Sequence, residues 1–170
     1  GSVVAEIGES VQLISLRLAE AKLSTSGSVE FDPVTMTLRI RLAPQSKLTG
    51  IVGPDGVVTT PEGCLTYECD MHTFYKGAPD AVVLPRSSDQ IAAVVRLCLG
   101  ERVPLVPRGS GTGVIGGATA PLGGVMVATT RMNRILEVDL PNRCATVEPG
   151  VINLRVSDRV KERGYFFAPD

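Results

Sequence analysis

Hydrophobic and polar positions change period along this chain, and each change marks an element. Near the start, Val11, Ile14, Leu18 and Ala21 recur at helical spacing behind Ser10, although part of the stretch also alternates as a strand would. Thr25-Ser26-Gly27-Ser28 then breaks the chain. From Thr35 to Leu42 the period is two. Met36, Leu38, Ile40 and Leu42 face one way and Thr35, Thr37, Arg39 and Arg41 the other, as in a half-buried strand. Pro44, Gly50, Gly53-Pro54-Asp55-Gly56 and Pro61-Glu62-Gly63 predict a loop-rich connector to about Tyr67.

After Tyr67 the pattern sharpens. Ala81-Val82-Val83-Leu84 is a continuous apolar run of the kind that forms a strand buried on both faces. Pro85 ends it, and Ser87 with Gln90 predicts a capping box. Ile91, Val94, Val95, Cys98 and Leu99 follow at helical spacing, with Gly100 expected to stop the helix. A second apolar strand over Val103 to Val106 completes a βαβ unit and leads straight into a glycine loop. Three more strands are predicted at Val125–Ala128, Ile135–Val138 and Ala145–Val147, with a turn at Pro141-Asn142. Asn153 is expected to cap a helix through Val156 and Val160 to Gly164, and Tyr165-Phe166-Phe167 to begin a further strand.

The loop carries the candidate chemistry. Gly111-Thr112-Gly113-Val114-Ile115-Gly116 matches the GxGxxG pattern, a weak signal in a chain with 18 glycines. A dinucleotide fingerprint of that type needs a helix opening from the loop. Gly117, Pro121, Gly123 and Gly124 deny one here, and no Lys-Ser/Thr pair follows a glycine loop as a Walker A site demands. Successive backbone N–H groups unobstructed by side chains still converge on an anion without a helix. Ser110 and Thr112 add hydroxyl donors and Arg108 adds charge. A Cβ at Gly111 or Gly113 is expected to intrude where those N–H groups meet phosphate.

Composition narrows the partners. With 17 basic and 18 acidic residues the net charge is −1, so nothing draws the whole chain to nucleic acid. Aromatics at 4% and the absence of Trp argue against a base-stacking platform. No apolar run is long enough to span a bilayer, and no signal-peptide layout opens the chain, which makes the cytoplasm the expected location. Four cysteines without a CxxC pair, and a single histidine, His72, supply a metal site poorly. The thiols are expected as small core hydrophobes, and no metal is expected. His72 has the right chemistry for a base but lies in a polar stretch outside the predicted elements.

Several segments, in order, carry a family resemblance: Tyr67-Glu68-Cys69-Asp70, Ala81-Val82-Val83-Leu84-Pro85, Val106-Pro107-Arg108-Gly109-Ser110-Gly111-Thr112-Gly113, Arg131-Met132-Asn133-Arg134-Ile135, Val147-Glu148-Pro149-Gly150-Val151 and Gly164-Tyr165-Phe166-Phe167-Ala168-Pro169-Asp170. Together they resemble the FAD-binding domain of the FAD-linked oxidases typified by vanillyl-alcohol oxidase. Within that group the likeness is greatest to the glycolate oxidase D subunits and related D-lactate dehydrogenases. The resemblance runs from about Gly53 to Asp170, leaving residues 1–52 as an N-terminal segment of unclear role and 53–170 as the N-terminal part of an FAD-binding domain.

The resemblance implies an α+β fold of two subdomains with FAD between them. It implies that Pro107, Arg108, Gly109, Ser110, Gly111, Thr112, Gly113, Gly116 and Gly117 wrap the diphosphate. Met132, Asn133, Pro149, Gly150 and Val151 would lie along the cofactor, and Pro169 and Asp170 would open a flavin-side loop. Relatives with covalent flavin carry a histidine inside the glycine loop; Ser110-Gly111 stands there in this chain, which implies non-covalent FAD. The implied activity is oxidation of a small 2-hydroxy acid such as glycolate or D-lactate, with electrons passed to an acceptor or a partner redox subunit. The catalytic residues and the substrate-binding half are expected beyond Asp170. Apolar surface that those parts cover is then expected to promote self-association of this chain alone. The alternative from a different class is a non-catalytic nucleotide-binding or assembly module that has kept the anion loop.

Overall fold

A computed structural model describes residues 28–32, 37–41 and 45–168. The chain divides into two compact units, Gly1–Leu42 and Ala43–Asp170. In the first, β1 (Ser28–Asp32) pairs antiparallel with β2 (Thr37–Arg41), Phe31 opposite Leu38. The alternating pattern therefore marks a real strand, but its partner begins inside the polar stretch expected to break the chain. The helical reading of Val11 to Ala21 falls outside the described residues.

The second unit begins with two helices where the glycines and prolines predict a connector. They are α1 (Gln45–Val52) and the short α2 (Pro61–Leu65), separated by a 3-10 turn at Pro54–Gly56 and by β3 (Val57–Val58). Pro61 sits at the first helical position, where its missing N–H is not needed, and Thr60 caps the end by accepting from Gly63 N at 3.2 Å. Leu48 and Val52 of α1 are buried in the same core as the sheet, within the unit that begins at Ala43.

The sheet has the order β3-β4-β6-β5, with β4 (Ala81–Val83), β6 (Val125–Ala128) and β5 (Leu105–Arg108) parallel and β3 antiparallel on β4. Its apolar strands are buried on both faces because side chains alternate. Ala81, Val83, Val125 and Val127 meet α1 and α3 (Ser88–Glu101) on one side; Val82, Met126 and Ala128 meet Cys64 and Ala120 on the other. The βαβ unit forms as the period predicts, yet its two strands share no hydrogen bonds, since β6 lies between them. The link from β5 to β6 contains no helix.

Helix α3 begins as expected, with Ser87 accepting from Gln90 N at 3.3 Å. The Gln90 amide accepts from Arg86 N instead of Ser87 N and donates to Ile51 O at 3.0 Å, joining α3 to α1. Gly100 does not stop the helix. Arg102 does, in a left-handed cap at φ 56°, with Val103 N donating to Cys98 O at 2.9 Å. Leu99 is accordingly exposed, and Leu97 packs against the core in its place.

Beyond β6, a 3-10 turn at Thr129–Arg131 leads to the hairpin β7 (Ile135–Asp139) and β8 (Cys144–Val147). Asp139 forms its turn by accepting from both the backbone and the side chain of Asn142. Helix α4 (Asn153–Val160) buries Val156 and Val160, but Asn153 lies inside it; Ile152 occupies the cap position without a side-chain bond. Tyr165-Phe166-Phe167 forms no strand. Phe167 N instead donates to Ser157 Oγ at 3.0 Å, which hangs the segment on α4. Cys64 and Cys98 are core residues as expected, whereas Cys144 is exposed. Among the described residues no helix is long and apolar enough to cross a membrane.

Candidate functional site

The register of the parallel strands decides where the glycine loop sits. Arg108 pairs with Ala128, so β5 and β6 end together and two segments leave the same carboxyl edge. One is the glycine loop from Gly109; the other is the turn Thr129–Met132. Thr129 Oγ1 donates to Arg108 O at 3.5 Å and links their roots. In open parallel sheets this edge is where ligands bind.

Beside the loop lies a cleft of about 330 Å³, bordered by Pro107, by Gly109 to Gly113, by Ile115, Gly117 and Ala118, and by Asp70 from a separate segment. The backbone N–H groups of Ser110, Gly111, Thr112 and Gly113 find no acceptor among the described residues. Ser110 Oγ and Thr112 Oγ1 lie 3.2 Å apart on the exposed rim. A Cβ built on Gly109 would meet nothing within 4 Å. The donor set is a run of free amides and two hydroxyls on a surface without obstructing side chains, which fits a diphosphate. Gly116 turns away from the cleft, toward the Tyr75 ring.

A strap over residues 67–77 braces the loop from behind. Met71 N donates to Gly113 O at 3.0 Å, Gly77 N to Glu68 O at 2.7 Å, and Ala120 N to Gly77 O at 3.0 Å. Arg108 Nη1 donates to Cys69 O and to Ala118 O, both at 2.9 Å. Asp70 is 5% exposed; its Oδ1 accepts from His72 N at 2.8 Å, and its Oδ2 is buried without a partner. The His72 ring packs against Phe74 and Tyr75, with centroids 5.8 and 4.9 Å away. Sequence reasoning passes over this strap because its residues are polar and follow no period. Its one signal is the Tyr67-Glu68-Cys69-Asp70 tetrapeptide.

The other resemblance-derived residues form a second cluster on the same edge. Met132 is buried, and its carbonyl accepts from Gly150 N at 2.8 Å. Asn133 is exposed, and its carbonyl accepts from Arg155 Nη1 at 3.2 Å. Pro149 is exposed, and Val151 N donates to Glu148 O at 3.1 Å. Pro169 and Asp170 fall outside the described residues.

Glu148 joins the two segments of this cluster, which flank the β7–β8 hairpin. Its carboxylate accepts from the Arg134 backbone N–H at 2.8 Å and from the Arg134 guanidinium at 2.6 and 3.0 Å. The Arg134 side chain, then its backbone N–H, hold the carboxyl below the ordinary glutamate value of 4.5. A group whose folded value is depressed adds stability above its unfolded value and loses it as pH falls through the folded one. Lowering the pH from neutral to about 3 is therefore expected to reduce the melting temperature of the parent protein more than that of Glu148→Gln. Parallel curves would remove Glu148 from the pH response.

Fold and site together define an FAD-binding domain of the vanillyl-alcohol oxidase type. The chain belongs to the FAD binding domain family, whose model matches residues 79–170, and the cofactor of that family is FAD. Among curated proteins it is similar to glycolate oxidase subunit GlcD of Bacillus subtilis, at 40% identity over 126 residues, 74% of this chain and 27% of that protein. It is 35% identical to a D-lactate dehydrogenase of Anaerostipes hadrus over 59% of this chain and 21% of that one. A D-2-hydroxyglutarate dehydrogenase of Stutzerimonas stutzeri is 33% identical over 73% of this chain and 27% of that protein. The chain thus spans about a quarter of the length of these relatives. Among solved structures, p-cresol methylhydroxylase with substrate bound has a TM-score of 0.61 at 28% identity, over 70% of this chain and 24% of that one.

Proposed function

We propose that the whole protein is an FAD-dependent oxidoreductase that oxidises a small 2-hydroxy acid such as glycolate or D-lactate. The observation that carries this reading is chemical agreement among the relatives. Glycolate, D-lactate and D-2-hydroxyglutarate, which their names print, all bear a hydroxyl beside a carboxylate. Bound FAD supplies the two-electron acceptor that such an oxidation requires. This chain's part is to hold it: the free amides of Ser110 to Gly113 and the Ser110 and Thr112 hydroxyls take the diphosphate, inside the loop Pro107–Gly117. Met132, Asn133, Pro149, Gly150 and Val151, which share the sheet edge with that loop, lie along the cofactor, and Pro169-Asp170 opens the flavin side. The link is non-covalent, because the loop has no histidine and His72 is packed between aromatic rings. Electrons leave to an acceptor or partner redox subunit in the cytoplasm. Exposed Phe74, Ile115 and Leu122 favour cover by further polypeptide, or self-association when the chain is alone.

The test uses the full-length protein. Acid precipitation is expected to leave a yellow supernatant, and reduction of an artificial dye is expected with glycolate, D-lactate or D-2-hydroxyglutarate. Flavin that stays with the pellet would overturn the non-covalent reading. A flavin-loaded protein inert toward all three acids would overturn the substrate class.

A further inference from the structure

We propose that Arg108 is a positioning residue that staples the glycine loop into its diphosphate-receiving shape, and that it does not itself ligate phosphate. This rests on the FAD reading above and goes beyond it, since charge at the mouth of an anion loop is otherwise taken for a direct ligand. Three chain segments meet at one nitrogen. Nη1 has two protons, and both are used: one on Cys69 O of the strap and one on Ala118 O, where the loop returns. Arg108 opens the loop through its backbone and closes it through its side chain. The guanidinium carbon lies 5.6 Å from the Tyr67 ring centroid. A Cβ on Gly111 would stand 2.1 Å from Nη2, so the loop is folded directly onto the guanidinium. Among the described residues no carboxylate lies within ion-pair distance of Arg108; backbone carbonyls hold it in place.

A planar fork bonded to two carbonyls beside an aromatic ring is a task for arginine that a lysine ammonium does not reproduce. Without the staple, the loop samples shapes in which its amides no longer converge. Apparent affinity then falls with the fraction of molecules that remain competent. The loss is expected in the rate of FAD capture, with release nearly unchanged.

Arg108→Lys and Arg108→Gln, made in the full-length protein, separate staple from ligand. After removal of FAD, capture and release are followed by flavin fluorescence, and amide hydrogen exchange is read across residues 109–117. If Arg108 is the staple, both variants lose roughly tenfold or more in FAD affinity, as expected for losing two charge-assisted bonds. Capture slows, loop exchange quickens, and exchange in β4 and β6 stays as in the parent. Parent-like affinity in Arg108→Lys with a loss only in Arg108→Gln would overturn the proposal in favour of direct charge. Unchanged loop exchange in both variants would overturn it as well. A parent protein that captures no FAD would sink the proposed function, while loop exchange would still decide what Arg108 does.

Discussion

Alanine in place of Gly111 is expected to strip most of the FAD from the protein while leaving its sheet folded. Gly111 has φ +77°, a region that costs a side chain on the order of 1–2 kcal/mol. Its new Cβ would also collide with the Arg108 guanidinium and displace the bonds that close the loop. Together these amount to roughly 2–4 kcal/mol at the loop, or on the order of a hundredfold in FAD affinity. Gly113→Ala is the informative companion. A Cβ there has Asp70 Oδ2 at 3.8 Å as its nearest neighbour, an ordinary contact, and the backbone is not left-handed. The sequence alone treats the two glycines alike; the structure separates them. Gly113→Ala is expected to keep the loop's shape and to weaken FAD only where the methyl meets the ligand. Flavin content after purification and far-ultraviolet circular dichroism measure both effects, and equal flavin retention in the two variants would contradict this assignment.

Gly150→Ala is expected to act on stability rather than on the loop. A Cβ at Gly150 would lie 2.2 Å from Thr129 O and 2.9 Å from Met132 O. Both obstacles are backbone, which has no rotamer to change. The turn at 149–151 would have to lift from the turn at 129–132, breaking the Gly150 N to Met132 O bond. Overpacking of this kind costs about 3 kcal/mol. For a domain of this size that lowers the melting temperature by roughly 6–12 °C. Gly100→Ala, exposed within α3 where a Cβ meets nothing, serves as the control and is expected to melt no lower than the parent. A Gly150 variant that melts with that control would show the two turns to be independent.

How much was legible in the sequence depends on which interactions set each element. The apolar runs at Ala81–Leu84 and Val125–Ala128 announced the buried strands because burial on both faces leaves no polar position. The capped helix behind Ser87 announced itself through local bonds. Glycines and prolines misled in both directions. Pro61 marked a helix start inside an apparent connector, and Gly100 lay harmlessly within a helix that Arg102 ended. Tyr165-Phe166-Phe167 had strand-forming residues but no neighbouring strand to pair with, and pairing is a tertiary fact. In the site, the glycine loop and the failure of the Rossmann reading were visible from spacing alone. The strap was not. The strap contributes only backbone atoms to its bonds with the loop, which any residues supply, so Cys69, Met71 and Gly77 carry no compositional mark of the part they play.

The strand order β3-β4-β6-β5 has a consequence for how the molecule assembles. Helix α3 is local and well capped, so β4 and β5 can be brought near each other early, yet they share no hydrogen bonds. The slot between them is filled by a strand that arrives later in the chain, after the whole glycine loop has been traversed. Closing a long flexible segment to make parallel pairings is the slow kind of step in folding. Until β6 docks, the far end of the glycine loop is tied down only by Arg108 and by the strap, not by the sheet. The sheet edge from which the glycine loop departs is therefore complete only once the central strand is in place.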